Sequence, residues 1–228
     1  MVVLVTALGM IGYFLKKLIS NRNAIVLTGF IGGLVSSTAV TLSFSSFSKN
    51  RPTFSKIFAT AIIVSWITMF FRIIIEVAVV NSSLVKELWI PMTAAAFVGG
   101  AYCWFLKKQD EKHEEIDHNV ELEKPFSLKN SLLFGGLYAL VIVIANIAQI
   151  NFGNEGIYLS AIAAGFTDVD AITLSMAELS QVSGTLEPDI AIKAITLAAV
   201  SNTMVKASIV LFTAHKGLKK EILPGFIL

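Results

Sequence analysis

Residues 164–180 read AGFTDVDAITLSMAELS and place two aspartates in the middle of an apolar segment. A similar run, GLVSSTAVTLSFS, occupies residues 33–45. Aligning Gly33 with Gly165 gives five identities in 13 positions, where chance would give about one. A polar motif is therefore repeated inside two apolar segments, which predicts that the chain has two related halves.

The composition of the 228-residue chain is typical of a membrane protein. Hydrophobic residues make up 55% and charged residues 15%, with a mean hydropathy of +0.74. A net charge of +2 lacks the basic excess with which proteins bind nucleic acid. With one cysteine, Cys103, and three histidines outside the apolar runs, the chain lacks the residues for a disulfide or for Ser-His-Asp chemistry. We expect a non-enzymatic protein with no nucleic-acid partner and no cofactor beyond a bound ion such as Mg²⁺ or Na⁺.

Seven apolar runs are candidates to cross about 30 Å of hydrocarbon. They predict an all-α integral membrane protein with segments at residues 2–19, 24–48, 54–80, 84–106, 131–151, 156–178 and 190–214. A charged stretch separates the fourth run from the fifth. We predict a first membrane repeat at residues 1–107, a solvated linker at 108–130 and a second membrane repeat at 131–228.

The basic residues predict the orientation of the two halves, because cytoplasmic loops collect lysine and arginine. If all seven segments cross, the two membrane faces carry seven and nine basic residues, a difference too small to predict an orientation. If segments 24–48 and 156–178 enter and leave on the same face, the count is 14 against Lys86 and Lys193. This bias favours an inverted repeat with two broken or re-entrant helices in a prokaryotic inner membrane, with the linker on the cytoplasmic side. Seven full spans remain the alternative, since both segments are long enough.

Asp168 and Asp170 are the leading candidates for a functional site. A carboxylate at the centre of a bilayer costs about 2.5–3.5 kcal/mol, so two of them call for an explanation. Positions i and i+2 point apart on a helix, and both reach one ligand only where the helix is broken. Gly165, just before them, permits such a break.

Oxygen atoms at the two motifs predict a cation site. Hard cations such as Na⁺ and Mg²⁺ take oxygen ligands, and carboxylates compensate their charge. The predicted ligands, with Asp168 and Asp170 as the metal-binding pair, are Asp168, Asp170, Thr173, Ser36, Ser37, Thr38, Thr41 and Asn202. The alternative is a structural role, with Thr167 or Asp168 capping a half-helix that starts near Val169, and Ser36 or Ser37 capping its counterpart.

The remaining charges deep in the apolar runs are Arg72, Glu76 and Lys206. The repeat register continues loosely here, with Thr68 and Arg72 in the places of Asn202 and Lys206. Arg72 and Glu76 are one turn apart and predict either an internal ion pair or a role in the ion pathway. Lys206 either reaches toward the membrane surface or neutralises the aspartates when no ion is bound. The deep charges sum to minus one, which favours a cation; an anion held by Arg72 and Lys206 at the helix N-termini is the alternative.

The two motifs, together with VSNTMVKAS at residues 200–208, resemble a prokaryotic integral-membrane domain family of unknown function, found alone or fused to MgtC/SapB domains. The resemblance covers nearly the whole chain and implies no established activity, although the MgtC/SapB association implies a connection with Mg²⁺ homeostasis or transport. We predict a transporter for a small inorganic ion, with its site near the middle of the lipid bilayer. A non-transporting membrane regulator or scaffold, which binds another membrane protein through glycine-rich faces, is the second hypothesis. Those faces are also compatible with a homo-oligomer.

Overall fold

The computed structural model describes residues 23–108, 143, 147, 152–181 and 186–227. The main helical elements of these residues are α1 (Asn23–Asn50), α2 (Ser55–Val80), α3 (Val85–Lys108), α4 (152–165), α5 (Val169–Gln181), α6 (Pro188–Thr213) and α7 (Lys216–Ile227). The predicted all-α fold is confirmed for this part of the chain. The predicted segment 2–19, nearly all of segment 131–151 and the linker after Lys108 lie outside the described residues.

Among the described residues, four helical stretches are long and apolar enough to cross a membrane: Ile25–Asn50, Pro52–Val80, Ser82–Lys108 and Pro188–Thr213. They coincide with four of the predicted segments. The predicted segment 156–178 is divided between α4 and α5 by a break at residues 166–168. Large apolar side chains are exposed on these elements, including Phe97, Trp104 and Phe212. Such surface is costly in water, so it indicates, with the length of the helices, a membrane protein.

The chain forms two compact units. Unit A comprises Met1–Leu4, Phe70–Ala94 and Ser127–Val205, and unit B comprises Val5–Met69, Ala95–Phe126 and Lys206–Leu228. Unit A holds α4, α5 and the later part of α2, whereas unit B holds α1, α7 and the earlier part of α2. Each unit therefore combines residues from both predicted halves of the sequence.

The first arm of α1 runs in the same direction as α2. Gly29 packs against the backbone of Ala61, and four residues later Gly33 packs against Ser65. Later residues of this arm therefore contact later residues of α2, so the arm and α2 are parallel. The arm ends at Ser36, whose backbone is extended (φ −162°, ψ 104°) inside an otherwise helical stretch.

The second arm of α1 runs in the opposite direction. Thr41 Oγ1 accepts a hydrogen bond from the indole N–H of Trp66 at 2.9 Å, and the ring of Phe44 stacks on that of Phe58 with centroids 5.4 Å apart. Later residues of this arm contact earlier residues of α2, so this arm is antiparallel to α2. Both ends of α1 therefore lie toward the N-terminal end of α2. Each arm is about 20 Å long at 1.5 Å per residue, too short for about 30 Å of hydrocarbon. Although α1 is long enough in total to cross a membrane, its contacts show a hairpin of two half-helices.

A glycine lets the helix before each break approach the following long helix closely. A methyl group on Gly33 would lie 2.8 Å from the Cα of Ser65, and one on Gly165 would lie 2.5 Å from the carbonyl oxygen of Ala198 in α6. At these distances no side chain fits between the backbones. The two aligned glycines thus have the same packing role in unit B and in unit A, which supports the repeat.

The short helix α7 completes unit B. The backbone N–H of His215, just before α7, donates a hydrogen bond to Ser48 Oγ in α1 at 2.9 Å. The hydroxyl of Tyr102 in α3 donates to the carbonyl oxygen of Glu221 in α7 at 2.8 Å. These bonds hold the basic helix α7 beside the ends of α1 and α3.

Gly33→Ala is expected to destabilise the protein by about 1–3 kcal/mol, because the added methyl group overpacks a backbone contact. Gly100→Ala is the matched control, since no described atom lies within 4 Å of its Cβ position. This control should be neutral or slightly stabilising, as alanine is the better helix former. Thermal unfolding in detergent measures both variants, and equal melting temperatures would contradict the close approach of α1 to α2.

Candidate functional site

Both helix breaks are capped by side chains at equivalent motif positions. In the first motif, Ser36 Oγ accepts a hydrogen bond from the backbone N–H of Ala39 at 3.2 Å. In the second, Asp168 Oδ1 accepts one from the backbone N–H of Asp170 at 3.0 Å, and α5 begins at Val169. A side-chain oxygen thereby satisfies a backbone donor that the first helical turn leaves unpaired. The capping interpretation is confirmed for Ser36 and Asp168.

Asp170 is buried in the first turn of α5 and binds Arg72 of α2. The Arg72 Nη2 donates to both carboxylate oxygens of Asp170, each at 2.6 Å. The Nε of Arg72 lies 3.5 Å from Oε1 of Glu76, one turn further along α2. The predicted Arg72–Glu76 ion pair is confirmed. The shorter Arg72–Asp170 pair, which the sequence did not predict, joins the first half of the chain to the second within unit A.

The buried trio of Arg72, Glu76 and Asp170 contains two carboxyl groups and one guanidinium. Glu76 is 0% exposed, and no described residue donates a hydrogen bond to either of its carboxylate oxygens. Asp168, half-buried beside the trio, adds to the negative potential at Arg72. An incompletely compensated charge costs several kcal/mol away from water. With all of its carboxyl groups ionised, the trio therefore favours a further positive partner.

The second threonine of the motif has different partners in the two repeats. Thr41 Oγ1 donates to the carbonyl oxygen of Ser37 at 2.8 Å and accepts the hydrogen bond from Trp66. Its counterpart Thr173 is 0% exposed, and its hydroxyl oxygen has no hydrogen-bond partner among the described residues. Trp66 belongs to the first half of the chain, and residues 131–228 contain no tryptophan. The second half thus lacks the indole donor, which leaves the oxygen of Thr173 available.

Asn202 and Lys206 have partners that sequence reasoning missed. The Nδ2 of Asn202 donates to the carbonyl oxygen of Gly165 at 2.8 Å and so satisfies the C-terminal end of α4. Lys206 is fully buried in unit B, where its Nζ lies 2.7 Å from the sulfur of Met69. The position of Asn202, 37 residues beyond the break, carries no local signal of a capping role.

The predicted ligands fall into two sets according to unit. Unit A contains Asp168, Asp170, Thr173 and Asn202, and unit B contains Ser36, Ser37, Thr38 and Thr41. In the unit A set, Asp170 binds Arg72 of α2, which also contacts Glu76. This set is therefore the one that the structure associates with a buried charged network.

The carboxylates of the predicted metal pair have partners within the protein. Asp168 caps α5 and Asp170 binds Arg72. Among the described residues, no group of three or more histidine, cysteine, aspartate and glutamate side chains is arranged to hold a metal ion. His113 and His118, two of the three histidines, lie outside the described residues.

Comparison with known sequences identifies the family. A family described as a domain of unknown function (DUF4010) matches residues 3–214. The chain belongs to this family. An uncharacterized protein of Aquifex aeolicus (strain VF5) is 34% identical over 199 residues, which cover 87% of this chain and 86% of the relative.

The family match confirms the prediction, made from the two motifs, of a family of unknown function. Neither description names an activity, a substrate or a partner. No solved structure matches the chain. The buried charged site of this DUF4010 member is therefore the basis for a functional proposal.

Proposed function

We propose that the protein is a membrane transporter for a small cation, with its site at Arg72, Glu76 and Asp170 beside the helix break that precedes α5. The observation that carries the proposal is the buried pair of Asp170 and Arg72 in the first turn of a broken helix. Charged side chains at membrane depth are costly and commonly mark ion or proton pathways. Broken helices are a recurrent way to build transporter sites.

The folding back of α1 supports re-entrant helices in an inverted repeat. Both ends of α1 lie toward one end of α2, as a segment that enters and leaves on one membrane face requires. The basic residues at equivalent repeat positions also each lie in the unit that contains the motif of the other repeat. Arg72 of the first half lies in unit A with the second motif, whereas Lys206 of the second half lies in unit B with the first motif. Such an exchange is expected of two halves related by a two-fold axis.

The charge distribution supports an orientation in the membrane. Among the described residues, unit B has nine basic residues and one acidic residue, whereas unit A has three basic and eight acidic residues. All the basic residues of unit B except Lys206 lie near helix ends or on α7: Lys49, Arg51, Lys56, Lys107, Lys108, Lys216, Lys219 and Lys220. Because cytoplasmic segments collect lysine and arginine, we place these helix ends at the cytoplasmic face of a prokaryotic inner membrane.

The net negative character of the site favours a cation over an anion. Arg72, one of the two basic residues that an anion would need, is bound to two carboxylates. The N-terminal turn of α5, where an anion would bind, already holds the carboxyl groups of Asp168 and Asp170. Alternating access would come from one repeat rocking against the other around this site.

Cation flux into liposomes tests the proposal. Wild-type protein is expected to move at least one of Na⁺, K⁺, H⁺ or Mg²⁺, and Asp170→Asn to reduce that flux by about tenfold or more, since it removes a charge from the site. Asp189→Asn is the matched control, because Asp189 is an exposed acid in α6 that pairs with exposed Lys193. That variant should retain wild-type flux.

Melting temperatures of both variants separate misfolding from loss of transport. A wild-type protein that moves none of these cations would contradict the proposal and favour the regulator hypothesis. Flux of chloride that depends on Arg72 would instead support the anion alternative. Equal losses in Asp170→Asn and Asp189→Asn would show that the site lies elsewhere.

A further inference from the structure

We propose that Glu76 and Thr173 provide oxygen ligands for a monovalent cation of the size and hardness of Na⁺, in a subsite beside the Arg72–Asp170 pair. This proposal names the substrate class of the transport site and rests on the function proposed above. It assigns the subsite to one repeat only, although the motif is present in both. Two independent observations carry it, one on each of the helices α2 and α5.

The first observation is the state of Glu76. Its side chain is fully buried, and neither carboxylate oxygen accepts a hydrogen bond from a described residue. Its contact with Arg72 is 3.5 Å long, whereas Arg72 binds Asp170 at 2.6 Å. Arg72 thus compensates mainly Asp170, and the oxygens of Glu76 retain the capacity to bind a cation.

The second observation is the hydroxyl of Thr173. It lies one turn after Asp170 on α5, and positions three apart on a helix are neighbours on one face. The oxygen is buried without a hydrogen-bond partner among the described residues, an arrangement that native proteins rarely leave unexplained. Thr173 therefore adds a neutral oxygen ligand on the side of α5 that carries Asp170.

The charge of the trio selects the class of cation. Glu76 and Asp170, when both ionised, exceed the guanidinium of Arg72 by one negative charge, which a monovalent cation neutralises. The charge of the half-buried Asp168 is compensated separately, by the N-terminal end of α5 that it caps. A divalent ion would leave a buried positive excess in the trio, and it would need several more oxygen ligands or waters. Neutral hydroxyl oxygen beside a single net negative charge is a donor set suited to Na⁺.

Arg72 gives the subsite a means of exchange. A cation near Asp170 and Glu76 competes electrostatically with the guanidinium for the same carboxylates. When the cation leaves, Arg72 still compensates Asp170, which it binds at 2.6 Å, and compensates Glu76 only in part. Arg72 is thus a positioning residue that stabilises the site when no cation is bound.

Thermal unfolding of the purified protein, in a choline buffer titrated with NaCl at constant ionic strength, tests the subsite. Na⁺ at 100 times its Kd is expected to raise the Tm by about 5–10 °C, since it binds only the folded state. MgCl₂ at equal ionic strength should give no comparable rise. Glu76→Gln should abolish the Na⁺ response and raise the Tm measured without Na⁺, because it removes an incompletely compensated buried charge.

The two motif threonines provide a matched pair of variants. Thr173→Val is expected to keep the Tm measured without Na⁺ and to weaken Na⁺ binding by up to about tenfold, the effect of losing one polar contact. Thr41→Val should do the reverse, lowering the Tm without Na⁺, because Trp66 loses its acceptor, and keeping the Na⁺ response. This opposite pattern is not expected if both threonines have merely structural roles.

Each remaining outcome counts against a specific part of the proposal. Stabilisation by Mg²⁺ alone, by pH alone, or by Na⁺ equally in both threonine variants would overturn the subsite. Cation flux that is unaffected by Thr173→Val would leave transport standing and the subsite wrong. A Na⁺ response that depends on Thr173, in a protein that moves no cation into liposomes, would leave the subsite standing and transport wrong.

Discussion

Arg72→Met is expected to lower the free energy of unfolding by about 3–5 kcal/mol, the range seen when one partner of a buried ion pair is removed. The variant leaves Asp170 and Glu76, both buried, without the guanidinium that binds one at 2.6 Å and the other at 3.5 Å. Two carboxyl groups would then remain in a low-dielectric interior with no positive partner. Chemical denaturation in detergent, or thermal unfolding, measures the loss.

An exposed ion pair of the same length gives the control for Arg72→Met. Lys193 Nζ lies 2.6 Å from Asp189 Oδ2, but both side chains are more than half exposed. Because water and salt screen this pair, Lys193→Met should not change the Tm measurably. If Arg72→Met and Lys193→Met lowered the Tm by similar amounts, burial would not be the reason that the Arg72 pair stabilises the protein.

A triple variant separates the charge effect from lost packing. Combining Arg72→Met with Glu76→Gln and Asp170→Asn removes the unpaired carboxylates along with the guanidinium. Most of the lost stability should then return, since neutral groups of similar volume remove the desolvation cost. A triple variant as unstable as Arg72→Met alone would mean that the packing of the arginine stem, not its charge, stabilises unit A.

Local features of this site were predictable from the sequence because their causes are local. A serine or aspartate at the start of a half-helix caps it through a hydrogen bond to a backbone N–H two or three residues away. Ser36 and Asp168 do this, at aligned positions of the motif. The repeated glycine, which allows close helix approach, was equally visible in the motif.

The central contact of the site was not predictable in the same way. Arg72 and Asp170 are 98 residues apart, and no periodicity links residues on two separate helices. The sequence showed only that the deep charges sum to minus one, and that Arg72 has a nearer acid one turn away in Glu76. In the structure, Arg72 lies closer to Asp170 (2.6 Å) than to Glu76 (3.5 Å). The main ion pair of Arg72 therefore links the two repeats and is not confined to α2.

The alignment of the repeats also concealed a difference in the hydrogen bonds of two aligned threonines. Thr41 and Thr173 are identical in the motif, so the sequence predicted both as ligands. Their environments differ because Trp66 donates a hydrogen bond to Thr41, whereas the second half, residues 131–228, contains no tryptophan. A duplicated motif therefore predicts equivalent backbone roles more reliably than equivalent side-chain roles, since the side chains depend on neighbours that diverge independently.

The reversal of α1 matters for the proposed mechanism, because in a membrane it would decide which face the first repeat opens to. Its total length predicts a helix that crosses, whereas the contacts of Gly29, Gly33, Thr41 and Phe44 with α2 show two antiparallel arms. The basic residues of the sequence predict a re-entrant segment at the same place. Each arm is about 20 Å long, so the polar break at Ser36 would lie inside the membrane.

Single-cysteine labelling in intact cells and inverted vesicles should therefore give an all-or-none result. In a variant with Cys103→Ser, Asn23→Cys and Asn50→Cys at the two ends of α1 should be labelled by an impermeant maleimide from the same face, the cytoplasmic one. Thr53→Cys and Ser83→Cys bracket α2, a helix of 26 residues that is long enough to cross, and they should be labelled from opposite faces. That pair is the internal control, because its pattern does not depend on how α1 folds. Labelling of Asn23→Cys and Asn50→Cys from opposite faces would make α1 a full span, leave the basic residues without a preferred side, and remove the inverted repeat that supports the transport proposal.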